Sequence, residues 1–219
     1  MDMPVKTSDK QIAILLAAEK LFAERGYARV TIREIAREAD VPLALVGYYY
    51  GPKHSLFLAI FERWNATIDE RLSQLEAVRA VKVDEGSLTR IIEAFIDPVL
   101  KMRASSEGEY YALLVARELY NATPETDKVL RKYFDPLAHA FIDAIHHILP
   151  HASRVQVSWS YQFSLGALLH HLSDSRIERL SRGQAVMAEA SARDLLIQFI
   201  VGGINAALPT SIKVTKPRQ

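Results

Sequence analysis

Between Thr31 and Lys53 the chain gathers side chains suited to holding an anion: the Thr31 hydroxyl, the Arg33 and Arg37 guanidinium groups, the Tyr48 and Tyr49 phenols and the Lys53 ammonium. All are hydrogen-bond donors and the cations add charge, which is the chemistry that grips phosphate oxygens along a nucleic acid backbone. Arg33 and Arg37 lie four residues apart, so on a helix they share a face, with Arg29 just ahead of them. Other chemistries have less material. Zero cysteine excludes disulfides, thiolate metal sites and thiol nucleophiles. There is no Gly-rich phosphate loop and no Gly-x-Ser-x-Gly elbow. Among seven histidines only His147 and His151 are spaced to share a helical face, and Pro150 interrupts the helix between them. The neighbours His170 and His171 would point about 100° apart. Asp84 and Glu85 fall in a polar linker, where solvation explains them. A non-enzymatic protein with no cofactor and no metal is expected.

Helices must position these groups. Ile12, Leu15, Leu16 and Phe22 recur at helical spacing, so residues 9–25 form an amphipathic helix, and Gly26 stops it. Thr31-Ile32-Arg33-Glu34 fits a capping box and opens a short helix running to about Ala39. Asp40-Val41-Pro42 breaks the chain, and a third helix spans about 43–49 before Gly51-Pro52. Two short helices joined by a tight turn behind a first are a helix-turn-helix arrangement. Its second helix braces on the phosphate backbone and its third lies in the major groove. Free N–H groups at the start of the bracing helix suit a phosphate oxygen. Ala36 is small enough to let the two helices cross closely, and Tyr48, Tyr49 and Lys53 follow where the third helix leaves the groove. The groove face is Leu43, Ala44, Leu45 and Gly47, and none of these makes a bidentate bond to a base. Readout then leans on thymine methyls, on Arg33 and on DNA shape.

Beyond the head the spacing predicts a long helix over 53–80, carrying Leu56, Ile60, Trp64, Ile68, Leu72 and Leu75 on one side. After Asp84-Glu85-Gly86, helices follow at about 87–104, 108–121, 125–149, 152–173 and 184–208, with Pro98 and Pro136 expected to kink or reset two of them. No strand pattern or internal repeat occurs. The expected fold is all-α with about nine helices: a three-helix head at 1–52, a larger helical domain at 53–209 and a flexible basic tail at 210–219. Composition agrees: 219 residues with 49% hydrophobic content exclude overall disorder. With 27 Lys plus Arg against 26 Asp plus Glu, any DNA contact must be a local patch, and residues 1–65 carry nine basic and eight acidic residues. The longest apolar run, Leu195 to Leu208, is 14 residues and falls short of the roughly 20 needed to span a bilayer, so no membrane partner is expected. Lys6 and Lys10 ahead of Ile12–Ala18 imitate a signal peptide, but Asp2 and Asp9 dilute the positive flank. The absence of cysteine fits a cytoplasmic address.

Thr31-Ile32-Arg33-Glu34-Ile35-Ala36-Arg37-Glu38-Ala39-Asp40-Val41, then Tyr48-Tyr49-Tyr50-Gly51-Pro52-Lys53, resembles the DNA-binding domain of the tetracycline-repressor (TetR) family. Leu21-Phe22-Ala23-Glu24-Arg25-Gly26-Tyr27 resembles that family's first helix, so the likeness covers roughly residues 8–65. The rest is similar in architecture, and Leu114 to Leu119 weakly resembles a segment in one branch of such repressors. The chain departs from the family at Pro42, where relatives often have Ser, at Gly47, where they often have an aromatic or Asn, and at Tyr49-Tyr50, where they often have His-Phe. The resemblance implies a ligand-responsive repressor that binds a palindromic operator on double-stranded DNA as a dimer. Its implied DNA contacts are Thr31, Arg33, Pro42, Leu43, Ala44, Leu45, Gly47, Tyr48, Tyr49 and Lys53. A small, mainly apolar effector would release it by swinging the helix near 53–80. The alternative is a helical ligand-binding or scaffold protein that has lost operator recognition.

The resemblance also implies that the larger domain dimerises and binds the effector. A homodimer through the last two helices is expected. Ser164, Ala167, Gly202, Gly203, Ala206 and Ala207 permit close approach there, and Phe163, Leu165, Leu168, Leu172, Leu196, Phe199, Ile200 and Ile204 supply apolar area. Candidates to line an effector pocket between helices are Phe95, Val99, Met102, Tyr110, Leu113, Leu114, Arg117, Phe141, Ile145, Trp159 and Phe163. Arg117 interrupts an apolar helix face. It either pairs with Glu118, Asp143 or a neighbouring helix, or it faces the pocket and binds a carboxylate or phosphate.

Overall fold

A computed structural model describes residues 9–105, 108–120, 123–174, 176–186 and 190–209, and the expected tail at 210–219 lies outside them. Among the described residues there are helices and no strands. The helices are α1 (Asp9–Arg25), α2 (Ile32–Glu38), α3 (Leu43–Tyr50), α4 (Lys53–Arg63), α5 (Asn65–Arg79), α6 (Ser87–Ala104), α7 (Gly108–Tyr120), α8 (Pro124–Val129), α9 (Asp135–Ile148), α10 (Arg154–Ser173), α11 (Ile177–Leu180) and α12 (Ala190–Ala207). Two compact units divide them. One joins the residues up to Asp69 with Val99–Pro136, and the other joins Glu70–Pro98 with the chain from Leu137 on.

In the first unit the three-helix head packs against α4 and, through α1, against α7. Its core is aromatic: Phe22, Phe57 and Phe61 are fully buried. Phe22 meets Phe57 edge-on at 5.6 Å, Phe57 meets Phe61 at 5.1 Å, and Phe61 meets Tyr111 of α7 at 5.7 Å. Edge-to-face pairs of this kind add about 0.5–1.5 kcal/mol beyond the area they bury. The single helix expected over 53–80 is instead two, separated at Trp64, whose backbone sits at φ −93, ψ 5. The indole is pinned there: its Nε1–H donates to the buried Glu19 carboxylate at 2.9 Å, and its ring stacks on Tyr111 at 5.1 Å.

The two internal prolines behave differently. α6 runs through Pro98 as one helix. Ahead of Pro136 the backbone widens into a π-helical segment, Leu130–Phe134, which divides the helix expected over 125–149. Proline lacks an N–H and its ring crowds the carbonyl four residues back; one wide turn absorbs both effects. Tyr133 in that turn donates to Glu62 of α4 at 2.5 Å. The last helix begins at Ala190, later than the expected 184.

In the second unit α10 packs on α12. Both helices are apolar on more than one side. Val157, Tyr161, Leu168 and Leu172 of α10 and Ile197, Ile200 and Ile204 of α12 are buried. Val155, Trp159 and Phe163 of α10 and Leu195 and Phe199 of α12 stand out in solvent. Arg193 ties α12 to α6 with two bonds to Asp97, at 2.7 and 2.6 Å, and a longer one to Glu93.

Candidate nucleic-acid interface

The start of α2 realises the capping box read from the sequence. The Thr31 hydroxyl oxygen accepts from the Glu34 N–H at 3.2 Å, and the Glu34 carboxylate accepts from the Thr31 N–H at 2.8 Å. The Thr31 N–H and hydroxyl, both donating to the Glu34 carboxylate at 2.8 Å, hold that carboxyl below its ordinary pKa. Arg25 also reaches Glu34, at 3.2 Å, and Lys20 bridges α1 to Glu38 at 2.6 Å.

The turn into α3 is a Schellman motif. Asp40 takes the left-handed conformation at φ 51, the Val41 N–H donates to the Ala36 carbonyl at 3.0 Å, and the Asp40 N–H donates to Arg37 at 3.2 Å. Aspartate is one of the few residues with a side chain that tolerates this geometry. Two orphan carbonyls of α2 are thereby satisfied, and the angle of α3 is set.

On α3 only Val46 is buried. Leu43, Ala44, Gly47 and Tyr48 are exposed and share one face at i, i+1, i+4 and i+5, while Leu45 and Tyr49 are half-buried. Pro42 is the N-cap and supplies no side-chain bond. A methyl group placed on Gly47 would meet nothing within 4 Å, so no internal packing asks for this glycine. Tyr48 is 79% exposed and meets Tyr49 edge-on at 5.1 Å. Tyr50 points the other way: its hydroxyl donates to the Gln11 carbonyl at 2.8 Å, and burial pushes its pKa up to about 12. Arg29, Arg33 and Arg37 are exposed. Lys53, at the first turn of α4, lays its ammonium 4.2 Å from the centre of the Tyr27 ring. Burial there lowers its pKa, against the opposing pull of Glu125 and Glu118.

The effector candidates are divided between the two units. Phe95 and Phe141 meet edge-on at 5.2 Å in the second unit, with Tyr161 at 5.4 Å from Phe95. Met102, Tyr110, Leu114 and Arg117 belong to the first unit, where Met102 and Leu114 are buried. Trp159 and Phe163, expected to line a pocket, lie on the surface of the chain instead. They are 58% and 68% exposed and stack on each other at 5.7 Å, because the stripe of α10 that turns inward carries Val157, Tyr161 and Leu168 instead. Of the alternatives read for Arg117, the structure shows the neighbouring helix. Its Nε donates to the Ala23 carbonyl at 2.9 Å and its Nη2 to the Glu24 carbonyl at 3.1 Å, at the C-terminal end of α1. Two residues escaped the sequence reading. Arg71 is 6% exposed and lies over the Phe95 and Phe141 rings at 4.6 and 5.7 Å, although its neighbours Asp69 and Glu70 suggest a solvated face. Glu118 is 4% exposed, and one of its partners, the Tyr27 N–H, is 91 residues away in sequence.

Comparison with known proteins agrees with this geometry. The family model for bacterial regulatory proteins of the tetR family matches residues 14–60, and the model for the tetracyclin repressor-like C-terminal domain matches 93–203. The HTH-type transcriptional regulator HbdR of Aromatoleum sp. is 43% identical over 58 residues, covering 26% of this chain and 25% of that protein. The HTH-type transcriptional repressor BepR of Brucella suis biovar 1 is 27% identical over 113 residues, 52% of each chain. The chain thus spans about a quarter to a half of the length of these two curated relatives. The solved structure of the fatty acid degradation regulator FadR from Bacillus halodurans superposes with a TM-score of 0.58 at 16% identity, covering 91% of this chain and 98% of that one, which is a likeness of fold. By the match of both its head and its C-terminal half, the chain belongs to the tetracycline-repressor (TetR) family of bacterial regulatory proteins.

Proposed function

We propose that the protein is a DNA-binding transcriptional regulator, a repressor, which binds a palindromic operator as a homodimer and is released by a small, mainly apolar effector. The observation that carries this reading is the exposed face of α3, set by a Schellman turn behind a capped α2 in a head that matches the family model. Leu43, Ala44, Gly47 and Tyr48 are its readers, Pro42 and the half-buried Leu45 flank them, and Thr31, Arg33, Tyr49 and Lys53 take phosphates. The exposed apolar residues of α10 and α12 favour the homodimer, as do Gly166, Gly202 and Gly203, where an added methyl would meet nothing within 4 Å. Two-fold pairing suits two recognition helices that must enter successive turns of the major groove. The aromatic cluster of Phe95, Phe141 and Tyr161 supplies apolar surface that an apolar effector would contact on entering the second unit. Among the described residues no helix is long and apolar enough to cross a membrane, and a cytoplasmic address fits the reading.

Selection from a randomised DNA duplex library at low salt tests the proposal. A palindromic sequence is expected to emerge. Enrichment of no sequence would leave a helical ligand-binding or scaffold protein, the reading that the lack of a polar base reader on Leu43, Ala44 and Gly47 would then favour.

A further inference from the structure

Two consecutive residues of α7 hold the segment that leads out of α1, and they do so with opposite charges. Arg117 donates to the carbonyls of Ala23 and Glu24, the acceptors left over at a helix C-terminus. Glu118 accepts the Tyr27 N–H at 3.2 Å, just beyond that end. Between them Gly26 turns the chain at φ 84, and the Arg117 stem passes 3.6 Å from where a side chain would start. The second oxygen of Glu118 is also taken: the Thr126 hydroxyl of α8 donates to it at 2.8 Å, and Thr126 is itself buried. Glu118 therefore has one fixed position, set from α7 and α8, and it fixes the Tyr27 backbone in turn.

The Tyr27 ring is held as firmly. It packs 4.7 Å from Phe57 and 5.6 Å from Phe22, both fully buried. On its face sits the Lys53 ammonium, 4.2 Å from the ring centre and 5.8 Å from that of Phe22. A flexible four-carbon side chain at the foot of the recognition helix is thus seated on an aromatic platform whose backbone is tied to a buried carboxylate. An acceptor for a backbone N–H and a hydroxyl need not be charged, and burying a carboxylate is costly. The negative charge of Glu118 does something a neutral acceptor would not: after that of Glu125, it favours the Lys53 ammonium form against the burial that opposes it.

We propose that Glu118 is a positioning residue for DNA binding: through Tyr27 it seats the Lys53 ammonium where a backbone phosphate meets it. The proposal rests on the reading, made above, that Lys53 takes a phosphate. It adds a physical link from α7 and α8 to the DNA-binding surface that runs through one backbone hydrogen bond and one ring, wholly inside the first unit.

The salt dependence of binding separates positioning from general stability, because each phosphate contact contributes about one unit to the slope of log affinity against log salt. The probe is the best duplex from the randomised selection, with full-length protein. Lys53→Met is expected to weaken binding roughly three- to tenfold and to lower the slope by about one for each subunit. Glu118→Ala should lower the slope as much, and in the Lys53→Met background it should weaken binding no further. Additive losses, or a weaker Glu118→Ala complex with an unchanged slope, overturn the proposal. An unchanged slope for Lys53→Met overturns the phosphate reading and the proposal together, and is distinguishable because it needs no change at Glu118. Should Glu118→Ala fail to fold, Tyr27→Leu and Tyr27→Phe decide the matter, since both keep the backbone N–H. Tyr27→Leu should lose the slope and Tyr27→Phe, which retains the ring, should rescue it; equal slopes for the two overturn the proposal.

Discussion

Gly47 sits inside a helix, where glycine is disfavoured by up to about 1 kcal/mol relative to alanine. Nothing within 4 Å of an added methyl requires it. Gly47→Ala should therefore raise the urea midpoint by an amount equivalent to as much as about 1 kcal/mol. In the proposed complex the same methyl faces DNA, so operator affinity in a gel-shift titration should fall several-fold. Stability and binding moving in opposite directions would mark Gly47 as a residue kept for close approach. His171 of α10 gives a second residue-level test. It is half-buried, and burial holds its pKa below the ordinary value of 6.5. The unfolded chain therefore binds this proton more readily than the folded one. The stability is fully present above that ordinary value and is lost as pH falls through the lower folded value. Urea midpoints should decline as pH falls below the ordinary histidine value of 6.5, and His171→Gln should make that decline shallower. At this scale the sequence was readable where the chemistry is local. Thr31 and Glu34 are three apart, and their reciprocal bonds follow from spacing alone. The Tyr27 N–H bound by Glu118 and the α1 carbonyls bound by Arg117 lie some ninety residues away, and no periodicity reports such a pairing.

At the scale of elements, α7 serves as a brace for α1. Arg117→Met keeps the aliphatic stem against Gly26 but removes the donors that cap the last carbonyls of α1. The expected loss is about 1 kcal/mol, seen as a lower urea midpoint with an unchanged slope. Helix existence was legible almost throughout, because apolar residues at helical spacing must face a core whatever that core contains. Two boundaries were not. The break at Trp64 comes from a buried carboxylate and a tyrosine that belong to α1 and α7. The sequence marks Pro98 and Pro136 alike, yet α6 passes through one and the chain widens before the other. α10 shows a deeper limit. It is apolar on two sides, and periodicity finds both stripes without saying which one turns inward; spacing alone lets Trp159 and Phe163 line a pocket, whereas their stripe faces out.

For the molecule as a whole, the outward stripe is the feature with the largest consequence. Five large apolar side chains on α10 and α12 are at least 58% exposed, an arrangement that favours the proposed pairing of two copies. If the proposed homodimer forms there, Phe199→Glu should yield a monomer by sedimentation velocity and abolish operator binding while leaving helix content by circular dichroism intact. Each of the two units also contains one of the chain's two tryptophans, in contrasting surroundings. Trp64 is clamped between a carboxylate and a tyrosine ring, and Trp159 stands in water. The protein thus carries a native pair of optical labels. Pairing of two copies through α10 and α12 would take the Trp159 indole out of water and shift its emission to the blue, while Trp64 keeps its colour. Dilution of the wild type should then produce a red shift that Trp159→Phe lacks, and a shift that survives Trp159→Phe would place the meeting surface elsewhere. Subunit exchange would become visible in unlabelled protein at the concentrations where a regulator works.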